Sequence, residues 1–206
     1  MSCLSTAKRS VFLKKIVKKI VFYIAAVAVS PITLLYFIFN LVLKGDALLS
    51  GFSQFLCLIP GKLGVYLRAG FYRFTLTTCA PDAVISFFVL FSQRDTQIES
   101  GVYIGPQCNI GKCKIGQDTL LGSGVHIMSG KGQHNFSDLS KPIKDQGGSF
   151  EKVTIGNGSW LGNGSLIMAN VGNHCVVAAG AVVINDVDDY SIVAGNPAQV
   201  IKKLDE

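Results

Sequence analysis

Val153-Thr154-Ile155-Gly156-Asn157-Gly158-Ser159-Trp160-Leu161-Gly162-Asn163-Gly164-Ser165-Leu166-Ile167 places an aliphatic residue at every sixth position, with a glycine next to it and a small residue four positions on. A period of six belongs neither to an α-helix nor to an alternating strand. The beat extends outward, through Ile104-Gly105, Ile110-Gly111, Ile115-Gly116 and Leu121-Gly122 on one side and Val171-Gly172 and Val177-Ala178 on the other. The second slot keeps register as Val102, Cys108, Thr119, Val125, Ser159, Ser165, Cys175 and Ala181, all small or β-branched. If each hexad makes one short strand and one corner, three hexads close a triangular coil of about 18 residues with the aliphatic residue inward on every side. The glycine is expected at a corner that needs positive φ, and the small residue where corners stack. Each inward Ile, Leu or Val contributes only about 1.5–3 kcal/mol, so coils must stack to be stable. The hexads suffice for about four coils of an all-β solenoid.

The beat slips in three places. Ile110 to Ile115 is five residues, which tightens a corner, and Ile167 to Val171 is four, which nearly deletes one. Between Ile127 and Val153 it vanishes. An aperiodic stretch inside a regular solenoid is a loop thrown out from the coil, and long loops on rigid scaffolds tend to carry function. This loop, residues 128–152, contains His134, Asp138 and Glu151.

The hexads, the extruded loop with His134, the stretch around Trp160, and the tail Val177-Ala-Ala-Gly-Ala-Val-Val followed by Tyr190-Ser-Ile-Val-Ala-Gly195-Asn196-Pro197-Ala resemble the hexapeptide-repeat acyltransferases, in the branch of maltose, galactoside and polysaccharide O-acetyltransferases. The resemblance covers residues 98–203. It implies a left-handed parallel β-helix, an exception to the right-handed crossover rule, a homotrimer, and acetyl-CoA as co-substrate in the cleft between subunits. Transfer of an acetyl group from a thioester to a sugar hydroxyl needs a base that works near neutral pH, and imidazole is the side chain of that kind. His134 lies where similar enzymes keep theirs. Its orienting partner is expected to be Asp138, with Glu151 or a backbone carbonyl as alternatives, and Asp138 reads equally well as a turn residue. On the donor side the resemblance implies Gly162, Ser165 and Ala179 along the coenzyme arm, Trp160 as a wall of the acyl site and Lys202 as a point charge for a phosphate. Gly162 and Ala179 read equally well as plain corner residues. His126 and His174 are expected on the surface. A carbonic anhydrase can be built on a similar solenoid, generally with two metal-binding histidines five apart, whereas the three histidines here are spaced by eight and forty, so no metal is expected.

The N-terminal part reads differently. Ile20 to Leu43 carries no charge and is long enough to cross a bilayer's hydrocarbon core. It follows a basic cluster of Lys8, Arg9, Lys14, Lys15, Lys18 and Lys19, which favours a cytoplasmic N-terminus. A cleaved signal peptide is the rival reading, but Leu34 to Leu43 stays apolar past the Ala26-Val-Ala28 stretch that could be cut. A single crossing would put the coils outside, away from cytoplasmic acetyl-CoA. Pro31 is expected to break the helix, so that the chain enters and leaves by the same face. Ala47 to Leu67, interrupted by Pro60-Gly61, reads as an interfacial helix. Ala83 to Phe91 reads as a first strand or an end cap, with Phe87, Phe88 and Phe91 able to touch lipid.

The domain reading is thus a basic and hydrophobic membrane-associating region over 1–80 and a β-helix domain over 81–206. The chain of 206 residues has formal charge +6 and mean hydropathy +0.42. Its first 20 residues hold most of the excess charge, which suits an anionic membrane surface, and no nucleic-acid motif is present. Six cysteines without a Cys-x-x-Cys pair act as small hydrophobes in a reducing compartment. The function classes that remain are a membrane-associated O-acetyltransferase of a polysaccharide, lipopolysaccharide or lipid-linked glycan, with the enzyme domain on the cytoplasmic side; an N-acyltransferase of an amino sugar; and a non-catalytic trimeric scaffold.

Overall fold

The computed structural model describes residues 2–204, with side chains from residue 16 onward except Lys18 and Lys19. The basic cluster from Lys8 to Lys19 therefore falls outside the described side chains. Three helices come first: α1 (Ser2–Val42), α2 (Asp46–Cys57) and α3 (Gly61–Thr75). Sixteen short strands follow: β1 (Thr78–Cys79), β2 (Val84–Ile85), β3 (Leu90–Phe91), β4 (Gln97–Ile98), β5 (Tyr103–Ile104), β6 (Asn109–Ile110), β7 (Cys113–Ile115), β8 (Leu120–Leu121), β9 (His126–Ile127), β10 (Val153–Ile155), β11 (Trp160–Leu161), β12 (Leu166–Ile167), β13 (Val176–Val177), β14 (Val182–Val183), β15 (Ser191–Gly195) and β16 (Ala198–Lys203).

These strands stack in three parallel columns. The first face is β1-β4-β7-β10, continued by single bridges through Val171 and Val187. The second is β2-β5-β8-β11-β13-β15 with β16 added antiparallel, and the third is β3-β6-β9-β12-β14. The solenoid has about six turns, more than the four expected: the first face alone stacks Cys79, Ile98, Ile115, Ile155, Val171 and Val187. Ala83 to Phe91 supplies its opening strands, and Phe91 is buried in the coil rather than turned to lipid. The inward column on each face is fully apolar: Ile98 and Ile115 on the first, Ile104 and Leu161 on the second, Ile110 and Ile167 on the third. All eight second-slot residues, from Val102 to Ala181, are buried beside them. The shortened corner after Ile110 lets both Cys113 and Ile115 point inward.

The hexad glycines have a different cause from the one expected. Positive φ occurs in other columns, at Gly101, Asp118, Gly158, His174 and Tyr190 and at Phe88, Gln107, Gly124, Gly164 and Gly180. The glycine after the aliphatic residue is small because the next coil's backbone lies against it. A Cβ at Gly156 would stand 2.4 Å from the Gly172 carbonyl carbon, and one at Gly162 2.4 Å from the Ala179 nitrogen. Gly156→Ala is therefore expected to cost about 3 kcal/mol, as overpacking against rigid backbone does. Gly164→Asn, at φ 67 with open space around it, should stay within about 1 kcal/mol, since Asn visits the left-handed region readily. Thermal unfolding of the two variants checks the ranking.

The helices cap the first coil. Arg68 of α3 is fully buried and donates from Nε to the Ile85 carbonyl at 3.0 Å and from Nη1 to the Leu56 and Ile59 carbonyls at 3.1 and 2.8 Å. It thereby ties α3 to the C-terminal end of α2 and to β2. Gly64 leaves room for it, since a Cβ there would meet the Ile59 oxygen at 2.0 Å and Nη1 at 2.8 Å. Ser53 of α2 accepts from the Tyr72 hydroxyl and from the Phe91 amide, both at 2.8 Å. The segment expected as one interfacial helix is thus two helices, split at Pro60, with Leu49, Ser53, Leu56 and Cys57 buried on α2.

Pro31 does not break α1, which runs through it. Proline cannot bond the carbonyl of residue 27, and Ser30 Oγ donates to that oxygen at 2.7 Å instead. The re-entrant break expected from the sequence is absent from the described residues. One stripe of α1, formed by Phe22, Ala25, Val29, Thr33 and Tyr36, is buried, packed in part on Gly70 and Phe71 of α3. Tyr23, Ile24, Val27, Leu34, Leu35, Ile38 and Leu41 are exposed. The apolar span, Ile20–Val42, is 23 residues with mean hydropathy 2.2.

Candidate functional site

The loop between β9 and β10 leaves the prism at the edge where the third face meets the first. Its two limbs bond each other: the Ser149 amide donates to the Gly132 carbonyl at 2.7 Å and the Asn135 amide to the Gly147 carbonyl at 2.8 Å. Gln146 closes the tip. Its Oε1 accepts from the Asp138 amide at 3.0 Å, and its Nε2 donates to the Asp138 and Lys141 carbonyls at 2.7 and 2.9 Å. Among the described residues, every hydrogen bond made by residues 130–150 stays within the loop. His134 is exposed on the outgoing limb, held close to Gly148 of the returning one: a Cβ at Gly148 would meet the Gln133 oxygen at 2.1 Å and the His134 nitrogen at 2.8 Å.

Asp138 does not face His134. Its carboxylate accepts from the Ser140 amide at 3.0 Å and hydroxyl at 2.6 Å and pairs with Lys141 at 3.2 Å. The Ser140 bonds, then Lys141, hold it below the usual carboxylate range. It shapes its own turn, the alternative the sequence left open, because an Asp two residues before a Ser closes an Asx-type turn more readily than it reaches across a loop. The expected orienting carboxylate is therefore missing from that position, and among the described residues no side chain hydrogen-bonds the His134 ring. Gln146, which orders this limb, carries no signal in the sequence that separates it from the loop's other side-chain amides, Gln133 and Asn135.

The stems of the loop are fastened to the solenoid. Ser129 Oγ accepts from the Lys112 amide at 2.9 Å, and the Ser129 carbonyl accepts from the Glu151 amide at 3.0 Å. Asp95 binds the Lys152 ammonium, pairs with Lys112 at 3.5 Å and accepts from Thr77 Oγ1 at 3.2 Å. The Lys152 bond, acting first, holds the Asp95 carboxyl below its ordinary range. A depressed value means that the pairing contributes at neutral pH and is lost only as the pH falls through that lowered value.

The donor-side residues divide. Trp160, half-exposed at 53%, lies on the second face in a stripe in register with Tyr103, Leu120, Val176 and Ile192. Lys202 pairs across from Ile192 on the added strand, so it shares that face with Trp160. Gly162 and Ala179 meet at the edge between the second and third faces. Ser165 departs from expectation: its side chain is fully buried and its Oγ has no partner, because the second slot always points into the coil. Its amide donates to the Gly162 carbonyl at 3.2 Å and its carbonyl accepts from the His126 amide at 3.0 Å, so it serves the coil. His126 and His174 are exposed, His174 stacked on Tyr190 with centroids 5.5 Å apart.

Asn157, Asn173 and Asp189 were not singled out. Each accepts a backbone amide of the preceding coil, Gln117, Asn157 and Asn173 respectively, at 2.7–2.8 Å. They line a groove of about 500 Å³ along the first face, but their acceptors are spent in joining coils. No three His, Cys, Asp or Glu side chains gather as a metal site among the described residues. Cys57, Cys79, Cys108, Cys113 and Cys175 are buried free thiols; burial pushes Cys79 and Cys113 up to about 12 and Cys108 to about 11, so they are unreactive packing groups.

No protein-family model matches the chain. Several curated proteins do, each over part of it. One is the putative lipopolysaccharide biosynthesis O-acetyl transferase WbbJ of Escherichia coli K12, 32% identical over 122 residues, which covers 56% of this chain and 61% of that protein. The chain spans only 30–34% of the length of two other relatives, a probable acetyltransferase of Mycobacterium tuberculosis and serine acetyltransferase 2 of Arabidopsis thaliana. Among solved structures, a maltose O-acetyltransferase from Clostridium difficile 630 superposes with a TM-score of 0.53 at 20% identity, over 77% of this chain and 87% of that one. At that identity the likeness is one of fold.

Proposed function

The coils of this chain belong to the hexapeptide-repeat acyltransferases, and from that premise we propose that the protein moves an acetyl group from acetyl-CoA to a hydroxyl of a sugar in a polysaccharide, lipopolysaccharide or lipid-linked glycan. One observation carries the reading: His134 stands exposed on an arm that bonds only to itself and projects from an otherwise regular prism. A scaffold has no use for such an arm. In the reaction the acceptor oxygen attacks the thioester carbon while His134 takes its proton. The new C–O bond forms, the tetrahedral centre collapses with loss of the C–S bond, and the thiol leaves carrying a proton.

The arm departs from the edge between the third and first faces, and Trp160 stands on the second face, across the prism. Base and acyl-site wall are therefore supplied by different copies in a homotrimer. Phe136, Leu139 and Ile143 of the arm are exposed, Leu139 at 96%, and an apolar stripe on a neighbouring copy would cover them. Trp160, Gly162, Ala179 and Lys202 would hold the coenzyme, Lys202 as a point charge for phosphate, with Ser165 only as a small residue beside them.

A helix apolar around its whole circumference needs a dry environment on every side. Only one stripe of α1 has one inside the chain, so lipid is the surrounding that fits the rest, and the Ser30 bond to Val27 leaves no carbonyl unsatisfied there. With α1 unbroken at Pro31 the re-entrant route is closed, and coils on the cytoplasmic side, where acetyl-CoA is made, require the helix to lie along the cytoplasmic leaflet rather than cross it. A cysteine at position 202 should react with a membrane-impermeant reagent only after the inner membrane is opened; labelling in intact cells would place the coils outside.

The activity is tested by incubating purified protein with acetyl-CoA and a membrane glycolipid extract, following thiol release and a mass gain of one acetyl group. No thiol release above background removes the reading. Transfer to an amino sugar is the second reading, favoured by the fold likeness to an N-acyltransferase from Bacillus cereus solved with a dTDP-linked amino sugar and coenzyme A, at TM-score 0.51 and 20% identity over 59% of this chain and 69% of that one. An acetyl ester is lost in mild alkali and an amide is not, so alkali treatment of the product decides between them.

A further inference from the structure

We propose that Asp95 is a positioning residue for the arm that carries His134, acting by holding both of the arm's stems on the first coil. This rests on the acetyl-transfer reading. The returning stem ends at Lys152, whose ammonium is bonded to Asp95 Oδ1. The outgoing stem passes Ser129, whose Oγ takes the amide of Lys112, and the Lys112 side chain pairs with Asp95 Oδ2 at 3.5 Å. Lys112 occupies the five-residue corner between Ile110 and Ile115, so the slip in the hexad has a consequence: it sets this lysine beside the loop's departure. Asp95 is itself fixed. Its neighbour Arg94 donates from the backbone to Asp46 Oδ1 of α2 at 2.8 Å and from Nη1 to Asn40 Oδ1 of α1 at 3.0 Å, and Thr77 Oγ1 bonds the Asp95 carboxylate.

Among the described residues the arm has no hydrogen bond to the rest of the chain between its stems and its tip, so its angle to the prism is set at the stems. Ion pairs as open as these contribute little to global stability. Their removal should therefore change the pose of the arm without unfolding the protein, and a misplacement of about 1 Å at a reacting group can cost on the order of 100-fold.

The experiment uses the full chain in lipid nanodiscs. Asp95→Ala is expected to lower kcat by about 10- to 100-fold, with KM for acetyl-CoA within about twofold and the thermal midpoint nearly unchanged. Asp95→Glu, which keeps a carboxylate for both lysines, should recover part of the lost kcat. Hydrogen exchange at the Glu151 and Lys112 amides should speed up in Asp95→Ala and slow again in Asp95→Glu. Wild-type kcat in Asp95→Ala, or unaltered exchange at these two amides, overturns the inference. If the wild-type protein transfers no acetyl group, the functional reading fails alone, and the exchange measurement still decides whether Asp95 fastens the arm.

Discussion

Replacing His134 with alanine is expected to slow acetyl transfer by about 100- to 10,000-fold, the usual worth of a positioned general base, while thermal unfolding stays where it is. The second half follows from burial: the ring is exposed and no described side chain bonds to it, so nothing in the packing depends on it. Coenzyme binding should also survive, because Trp160, Gly162, Ala179 and Lys202 lie on the second face and its edge, away from the arm's root. Steady-state kinetics with saturating acetyl-CoA, read beside the unfolding curve, separates lost chemistry from lost structure. Undiminished thiol release in the variant would remove His134 from the reaction. Asp138→Asn offers an internal contrast. That carboxylate is taken up by Ser140 and Lys141, so its neutralisation should cost far less than loss of the imidazole.

Arg68→Met should produce the largest loss of stability of any single substitution in the helical cap. Methionine fills most of the volume but donates nothing. The Ile85 and Ile59 carbonyls would be left buried and unpaired by the guanidinium, at about 1–3 kcal/mol each, and the C-terminal end of α2 would lose a cation that suits its dipole. The Leu56 oxygen is less exposed to the change because the Ile59 amide also bonds it. Removing the charge gives something back, since burying a guanidinium whose Nη2 has no partner is itself costly; a net loss on the order of 3 kcal/mol is expected. The damage should be local. Hydrogen exchange should rise at the Phe88 and Phe91 amides, which bond Cys57 and Ser53 of α2, before it rises in the middle coils around Ile115 and Leu161. Exchange rising evenly along the chain, or a midpoint equal to that of the wild type, would refute this account of the cap.

A reader with only the chain could place the solenoid but not its ends. Ile104, Ile110, Ile115, Leu121, Ile155 and Leu161 announce themselves by spacing, and all six are fully buried. Ile85 and Phe91 keep the beat without its glycine, so the stretch read as a first strand or a cap, and it forms strands β2 and β3 of the opening coil. The arm that bears His134 was legible because an aperiodic loop interrupts a periodic domain. Asp138 carried two readings, partner of His134 or turn residue, and its bonds to Ser140 and Lys141 are those of the turn. Ser165 was legible as a second-slot residue, and its side chain faces the core as that slot requires.

Periodicity by itself determined the three-sided prism, its inward columns and the loop that interrupts them, because burial on a repeating coil is a one-dimensional rule written at every sixth residue. Only the tertiary structure decided why the hexad glycines are glycine, how Ser30 keeps α1 unbroken at Pro31, and which side chains fasten the pieces together. Gly156 answers to backbone 16 residues ahead, Arg68 to a carbonyl 17 residues away, and Asp95 to an ammonium 57 residues away. Such contacts are set by how coils and helices come to rest on one another, and no local pattern in the chain encodes that distance.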